Sequence, residues 1–386
     1  MTQPALALTL HAAIREIDPA AWDLCAGDDN PFVSHAFLSA VEDSGSAGPR
    51  TGWMPRHATL NEGARLLAAA PMYAKSHSYG EYVFDHGWAA AFERAGGRYY
   101  PKLQVASPFS PVSGPRLLLR ADLPAERRPA IRRALAAGLS QSCSELRLSS
   151  VHVTFCEAEE YEELGAAGWL QRLGTQFHWE NAGYSCFEDF LAGLSSRKRK
   201  SVRRERRDAN ACGLTYRTLR GTAITAAHWK AFHRFYLATV DRKWGSAYLS
   251  ERFFPLLSQR LGDRVVLMLA EHDGRPVAGA LNLLGAETLY GRNWGCVGDW
   301  PFLHFELCYY RAIEFAIEHG LRRVEAGAQG EHKIQRGYLP RPTYSAHWIA
   351  HPGLRDAVAN YLEEERSARL VEMEQLATLS PYRQEA

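Results

Sequence analysis

The sequence predicts a mixed α/β protein made of two related halves, and three observations carry that reading. Apolar residues alternate between helical and strand spacing along the whole chain. Asp273-Gly274 sits between two β-rich runs, the strongest short hairpin signal available. The halves also echo each other: a hairpin, YGEYVFDHGW and Tyr99-Tyr100-Pro101-Lys102 in the first answer a hairpin, LYGRNWG and Tyr309-Tyr310-Arg311 in the second. A duplicated domain explains the echo, and so does a coincidence of two aromatic clusters. Length and composition agree with two domains: 386 residues, 46% hydrophobic and 23% charged, bury a large core without covalent staples. The division falls near 165–185 and is taken as 1–175 and 176–386.

Each element follows from local pattern. Residues 56–75 read as a hairpin around Asn61-Glu62-Gly63. Residues 76–115, rich in aromatics, Gly and Pro, suit loops and short extended pieces around a site better than a long helix. Ile131, Leu135 and Leu139 recur every four residues and place a helix over 124–143. A strand at 151–155, a helix at 157–166 and a strand pair at 170–180 follow. Phe187, Phe190, Leu191 and Leu194 begin a helix that runs through 186–211. Trp229, Phe232, Phe235 and Tyr236 mark another, before strands at 264–271 and 276–284. Helix 305–317, strands 321–325 and 344–349 and a charged helix at 358–373 complete the chain.

Several function classes are excluded. Seven cysteines without C-x-x-C spacing give neither a disulfide framework nor a zinc site, and they fit a reducing compartment. Acidic residues interrupt the first thirty positions, so no secretory signal is read, and no apolar run of ~18 residues spans a membrane. A cytoplasmic protein is expected. There is no G-x-S-x-G, H-E-x-x-H, P-loop or G-x-G-x-x-G, which disfavours hydrolase, zinc, ATP and dinucleotide chemistry.

Three groups of residues remain as candidates. Ser195–Arg207 holds eight cations against the single acid Glu205 in a chain whose net charge is only +2. Only Val202 is apolar within it, so as a helix it faces either water or an anionic partner, and Arg197, Lys200, Arg203 and Arg204 are assigned to donor phosphates. The second group is Gly327-Ala328-Gln329-Gly330-Glu331-His332-Lys333, after a strand, with His304 and Glu306 opening the preceding helix. A Gly-rich strand end with an amide, a carboxylate, an imidazole and an ammonium is an active-site edge or a structural turn. The third is aromatic: His86, Trp88 and Lys102 in the first half, Arg292 and Trp294 in the second. Such residues are packing or the wall of an acyl pocket. His178 and Glu180 share one side of a strand.

HGWAAAF with YYPKLQVASPFSPVSGPRLL, QFHWENAGYSCFEDFLAGLSSRKRKSVRRERR, YGRNWG, LHFELCYYRAIEFAIEHGL and AGAQGEHKIQRGYLP resemble the FemAB-like N-acyltransferases of the GNAT superfamily, a group labelled peptidoglycan biosynthesis or recognition. The resemblance covers nearly the whole chain and implies tandem GNAT-like domains and N-acyl transfer from a thioester or aminoacyl ester to an amine. One departure stands out. The R/Q-x-x-G-x-G/A loop with which GNAT enzymes hold a coenzyme A pyrophosphate at a helix N-terminus is absent, and Gln335-Arg336-Gly337 is too compressed to replace it.

The leading reading is an N-acyltransferase using acyl-CoA or an acylated carrier protein, with no tightly bound cofactor and no metal. Glu306 or His332 is the base, Gln329 and Lys333 contact the carbonyl or phosphate, and His86, Trp88, Lys102, His178, Arg292 and Trp294 line the substrate. The alternatives are a Fem-type ligase taking its acyl group from aminoacyl-tRNA, and a non-catalytic module that recognises a cell-wall or nucleic-acid ligand.

Overall fold

A computed structural model describes residues 5–242, 246–327 and 330–383. The chain forms two compact units: Met1–Gly174 with Pro342–Val371, and Thr175–Arg341 with Glu372–Ala386. The second unit is therefore not the whole of 176–386, because the strand segment after Arg341 and most of the last helix pack into the first unit.

In the first unit, strands Leu6–His11, His57–Glu62, Arg65–Ala70 and Leu118–Leu119 make an antiparallel sheet. The expected hairpin is there, turning at Gly63 with φ +61°. Further strands run in the order Trp53–Pro55, Met72–Lys75, Lys102–Val105, Ser150–Cys156 and the 344–349 portion of Leu339–Ile349. Lys102–Val105 and Ser150–Cys156 are parallel, which requires a crossover. Helix Arg128–Glu145 supplies it and buries Ile131, Leu135 and Leu139, the predicted stripe, against the strands.

The second unit repeats that plan. Strands Leu214–Arg220, Val265–His272, Arg275–Leu284 and Thr288–Cys296 are antiparallel neighbours, and Asp273-Gly274 turns with both φ positive, as a two-residue hairpin requires. Thr288–Cys296 then pairs in parallel with Arg323–Glu325, which pairs antiparallel with residues 178–180. The helical stretch 303–318 is the crossover, and Leu307, Tyr310, Ile313 and Ala316 join one core with Trp179, Phe190 and Val202.

Three local expectations fail for physical reasons. Residues 170–180 form one strand, Leu170–Glu180, instead of a pair. The helix expected over 186–211 is two, Phe187–Gly193 and Ser196–Asn210, because Leu194 is extended (ψ 152°), fully buried and bridged to Tyr382. The aromatic segment contains helix His86–Arg94.

Candidate active site

The candidate site lies in the second unit where the parallel pair stops. Pairing runs from Thr288↔Arg323 to Tyr290↔Glu325, after which one strand ends and the other continues to Cys296. Register against the neighbouring strand slips at this point: Leu281 faces Asn293 but Asn282 faces Gly291, leaving Arg292 as the extra residue of a β-bulge. A bulge bends the strand and re-aims its side chains. Gly295 permits a close helix approach, since a Cβ there would sit 2.1 Å from the Phe235 carbonyl oxygen.

The crossover contributes the opposite wall. Phe302 enters it with φ +59°, and Glu306–Tyr310 is a π-turn, the kind of helical insertion found at functional sites. Its two faces hold different chemistry. On one, His304 lies 5.2 Å from Trp294 and 5.3 Å from Tyr309, and the Tyr309 hydroxyl is 2.9 Å from His332 Nε2. Phe305 closes the ring cluster 5.7 Å from His332, with the Arg336 guanidinium stacked 3.4 Å above it. On the other face, Glu306 is fully buried, with Arg206 forking onto both its oxygens at 3.1 Å and Arg311 at 3.1 Å.

The Gly-rich turn supplies the polar groups. His332 is exposed, and burial of its ring, then Arg336 and Lys333, lower its pKa below the usual imidazole value. Lys333 is buried, its ammonium donates to the Gly327 carbonyl at 2.8 Å, and burial pushes its pKa down to about 8. Gly330 turns at φ +113°, where a Cβ would strike the His332 ring at 2.4 Å. On the adjacent strand His178 faces Glu325 in register, its Nε2 4.0 Å from the carboxylate and 3.3 Å from the Gln176 amide oxygen. Burial first, then Arg323, Arg341 and Lys333, take the His178 pKa down to about 3, so it is neutral. Its Nδ1 has no hydrogen-bond partner among the described residues.

The predicted residues therefore separate. Trp294, His332 and Lys333 converge with His304 and Tyr309, and Arg292 and His178 occupy the neighbouring strands. Glu306 is corrected: gripped by two guanidiniums and closed to solvent, it anchors the helix and is out of reach of an amine. Gln329 lies outside the described residues. Lys102 and Trp88 are also corrected, because both are buried and engaged inside the first unit. Lys102 is buried between Glu81 (2.7 Å) and Asp85 (2.5 Å) in the first unit, and Trp88 is core under Arg172, 5.1 Å from its ring. His86 is exposed in that same unit. Glu180 is bound to Arg341 rather than sharing work with His178. Sequence reading passed over Tyr309 as a catalytic neighbour, although its spacing of four from Phe305 was visible.

The basic helix Ser196–Asn210 docks through Val202, Glu205 and Ala209, with Glu205 bound to Arg336 at 2.9 Å and to the Tyr310 hydroxyl. Arg197, Lys200, Arg203 and Arg204 are exposed on the outward face. Some of its cations have counter-charges on other elements: Arg206 pairs with Glu306 and Glu314, and Arg203 with Glu188 at 2.6 Å. Arg197, Lys200 and Arg204 have no carboxylate within 4 Å among the described residues. No group of three or more His, Cys, Asp or Glu that could hold a metal occurs among them either.

A sequence family described as FemAB-like, peptidoglycan biosynthesis/recognition, matches residues 13–384. The chain belongs to the FemAB-like family. No curated protein matches it significantly in sequence. Among solved structures it is similar to FemX, with 11% identity, TM-score 0.57, and 92% of this chain and 100% of that one covered. It is also similar to the C-terminal domain of a putative lysylphosphatidylglycerol synthetase from Agrobacterium fabrum, at 10% identity and TM-score 0.53, covering 91% and 97%. A tandem GNAT protein from the clavulanic acid biosynthesis pathway aligns at 13% identity and TM-score 0.49, covering 90% and 99%. The fold is mixed α/β, as the sequence predicted, and is that of FemX. Family and fold support a transferase of the acyltransferase type. Among the described residues no helix is long and apolar enough to cross a membrane.

Proposed function

We propose that the protein transfers an acyl group from an activated donor to an amine, with the chemistry in the second unit, and that each unit is one GNAT-like domain. The observation that carries this reading is the His332–Tyr309 pair, 2.9 Å apart, beside Lys333 where the parallel strands part. An attacking amine must lose a proton and the carbonyl oxygen must tolerate negative charge. His332 is the base. With Nε2–H donated to the Tyr309 oxygen, Nδ1 keeps a lone pair for the ammonium proton, and the depressed pKa keeps the ring neutral near pH 7. Lys333, buried beneath the turn with its ammonium on the Gly327 carbonyl, lends its positive field to the oxyanion or a donor phosphate, and Trp294 with His304 walls the acyl group. Arg292 and His178 complete the pocket.

The leading donor is an acyl thioester of coenzyme A or a carrier protein. A Fem-type reaction with aminoacyl-tRNA is the second reading, favoured by the outward cations Arg197, Lys200 and Arg204, which suit a phosphate backbone. The acceptor class is an amine such as that of a peptidoglycan precursor. Native mass spectrometry after separate incubation with acyl-CoA, acylated carrier protein and aminoacyl-tRNA tests this. Binding of one donor, lost on mixing with an amine that gains its acyl group, is the expected result. Failure of all three donors to bind leaves a non-catalytic recognition module.

A further inference from the structure

Loop 76–86 of the first unit presents rings that acyl transfer in the second unit does not use. Tyr79 and Phe84 are 61% and 56% exposed, the two most exposed large apolar side chains among the described residues. His86 lies between them, 5.7 Å from Tyr79 and 6.0 Å from Phe84, stacked on the latter at 24°. His77 flanks Tyr79 at 5.2 Å. Clustered exposed rings on a soluble surface mark an interaction site more often than chance packing does.

The backbone beneath the rings is fixed. Lys75 and the Trp53 indole both donate to the Tyr79 carbonyl at 3.2 Å, and Arg172 donates to the Phe84 carbonyl at 2.7 Å. Gly80 sits so close to Phe109 that a Cβ would fall 2.7 Å from its ring. Glu81 and Asp85 turn inward onto Lys102, with Lys75 3.7 Å from Glu81 and the Tyr99 hydroxyl donating to Asp85 at 2.6 Å. All four side chains are buried. Such a network contributes little net stability, because desolvation costs several kcal/mol per ion, but it holds a loop in one conformation. The rings are thereby pre-organised, which lowers the entropic cost of binding.

The same network determines what the surface can bind. Two lysines and two carboxylates cancel inside, and Glu81 and Asp85 are the only charged residues of the loop. Its outer face carries π surfaces, the His86 imidazole and the Ser76 hydroxyl, with no exposed charge, while both His77 nitrogens are taken by the Thr51 carbonyl and the Tyr79 amide. A phosphate backbone or an anionic bilayer needs exposed cations, and the loop offers none. A pyranose ring matches the face: its axial C–H bonds stack on aromatic rings while its hydroxyls bond the exposed His86 imidazole and Ser76 hydroxyl.

We propose that Tyr79, Phe84 and His86 form a binding site for a neutral saccharide. The assignment is independent of which donor the second unit uses. Calorimetry of the full chain with chitotetraose, cellotetraose and maltotetraose tests it. At least one should bind with Kd below about 1 mM. Tyr79→Ala and Phe84→Ala should each weaken that binding by about tenfold or more, as loss of a central ring contact does. Tyr79→Trp should retain it. Because both rings are exposed, the unfolding midpoints of the Ala variants should match wild type. No heat with any of the three sugars, or unchanged affinity in the double Ala variant, overturns the proposal. So does binding to a single-stranded oligonucleotide or to phosphatidylglycerol vesicles that the double variant abolishes.

Discussion

His332 is held by what surrounds it: the Tyr309 hydroxyl at one ring nitrogen, Arg336 on its own carbonyl at 2.7 Å and the φ +113° glycine before it. If it takes the amine's proton, His332→Ala should lower turnover by about 10²–10⁴-fold while donor binding survives. The pH profile gives a sharper check. Burial and the cations Arg336 and Lys333 hold the imidazole below its ordinary 6.5, so the acidic limb of kcat/KM should lie below that pH. Lys333→Met removes one cation, and the limb should move up towards 6.5; a limb that moves down or stays refutes His332 as the base. The sequence put His332 and Lys333 on a Gly-rich strand end, which is either an active-site edge or a structural turn, and the structure places both on one 3₁₀ turn beside Tyr309. Glu306 was misread because nothing in its composition shows that a π-turn rotates it onto Arg206 and Arg311.

At the scale of the element, the basic helix divides its charges between two tasks. Arg206, half-buried against Glu306 and Glu314, ties the helix to the crossover. Arg206→Gln should destabilise the protein by about 1.5–3 kcal/mol, since the fully buried Glu306 loses one guanidinium and keeps Arg311, as urea unfolding would show. Arg197, Lys200 and Arg204 have no such partner. Replacing all three with Gln should leave the urea midpoint near wild type and weaken an anionic donor. If each meets one phosphate, the slope of log affinity against log salt should fall by about 2 to 3. An unchanged slope reduces the outward face to solvated charge. The density of cations was plain in the sequence, but their division was not: Val202, Glu205 and Ala209 settle which side faces in. The break before Ser195 was hidden for a similar reason, because Leu194 fits the helical stripe and becomes extended only through its bridge to Tyr382.

Over the whole molecule, the aromatic echo does not mark the repeated strand–crossover–strand plan: YGEYVFDHGW runs through a loop into helix His86–Arg94 whereas LYGRNWG lies in strand Thr288–Cys296, and Tyr99–Lys102 leads into a strand whereas Tyr309–Arg311 lies in the crossover. The return of residues 342–371 to the first unit was hidden too, since no local pattern encodes which sheet a strand joins. The buried imidazoles give this scale its own test. His152 and His347 in the first unit and His178 in the second are all driven down by burial, His152 and His178 to about 3. The unfolded chain protonates each near 6.5 and the folded chain does not. Stability present above that pH is therefore lost as pH falls from 6.5 towards 3, each group removing up to about 1.4 kcal/mol per pH unit. Two buried carboxylates act in the opposite sense. Glu81, raised to about 7 by burial, and Glu160, also raised, bind protons in the fold before they do in the unfolded chain, so they regain stability as pH falls towards 4.5. Three imidazoles against two carboxylates leave a net loss, and the urea midpoint should be lower at pH 5 than at pH 7. The variants separate the contributions. His178→Gln removes one titrating imidazole and should flatten the dependence; Glu81→Gln removes an opposing carboxylate and should steepen it. A dependence that His178→Gln leaves unaltered would mean that this imidazole is protonated inside the fold, against Arg323, Arg341 and Lys333, and its assignment as a neutral member of the pocket would fall.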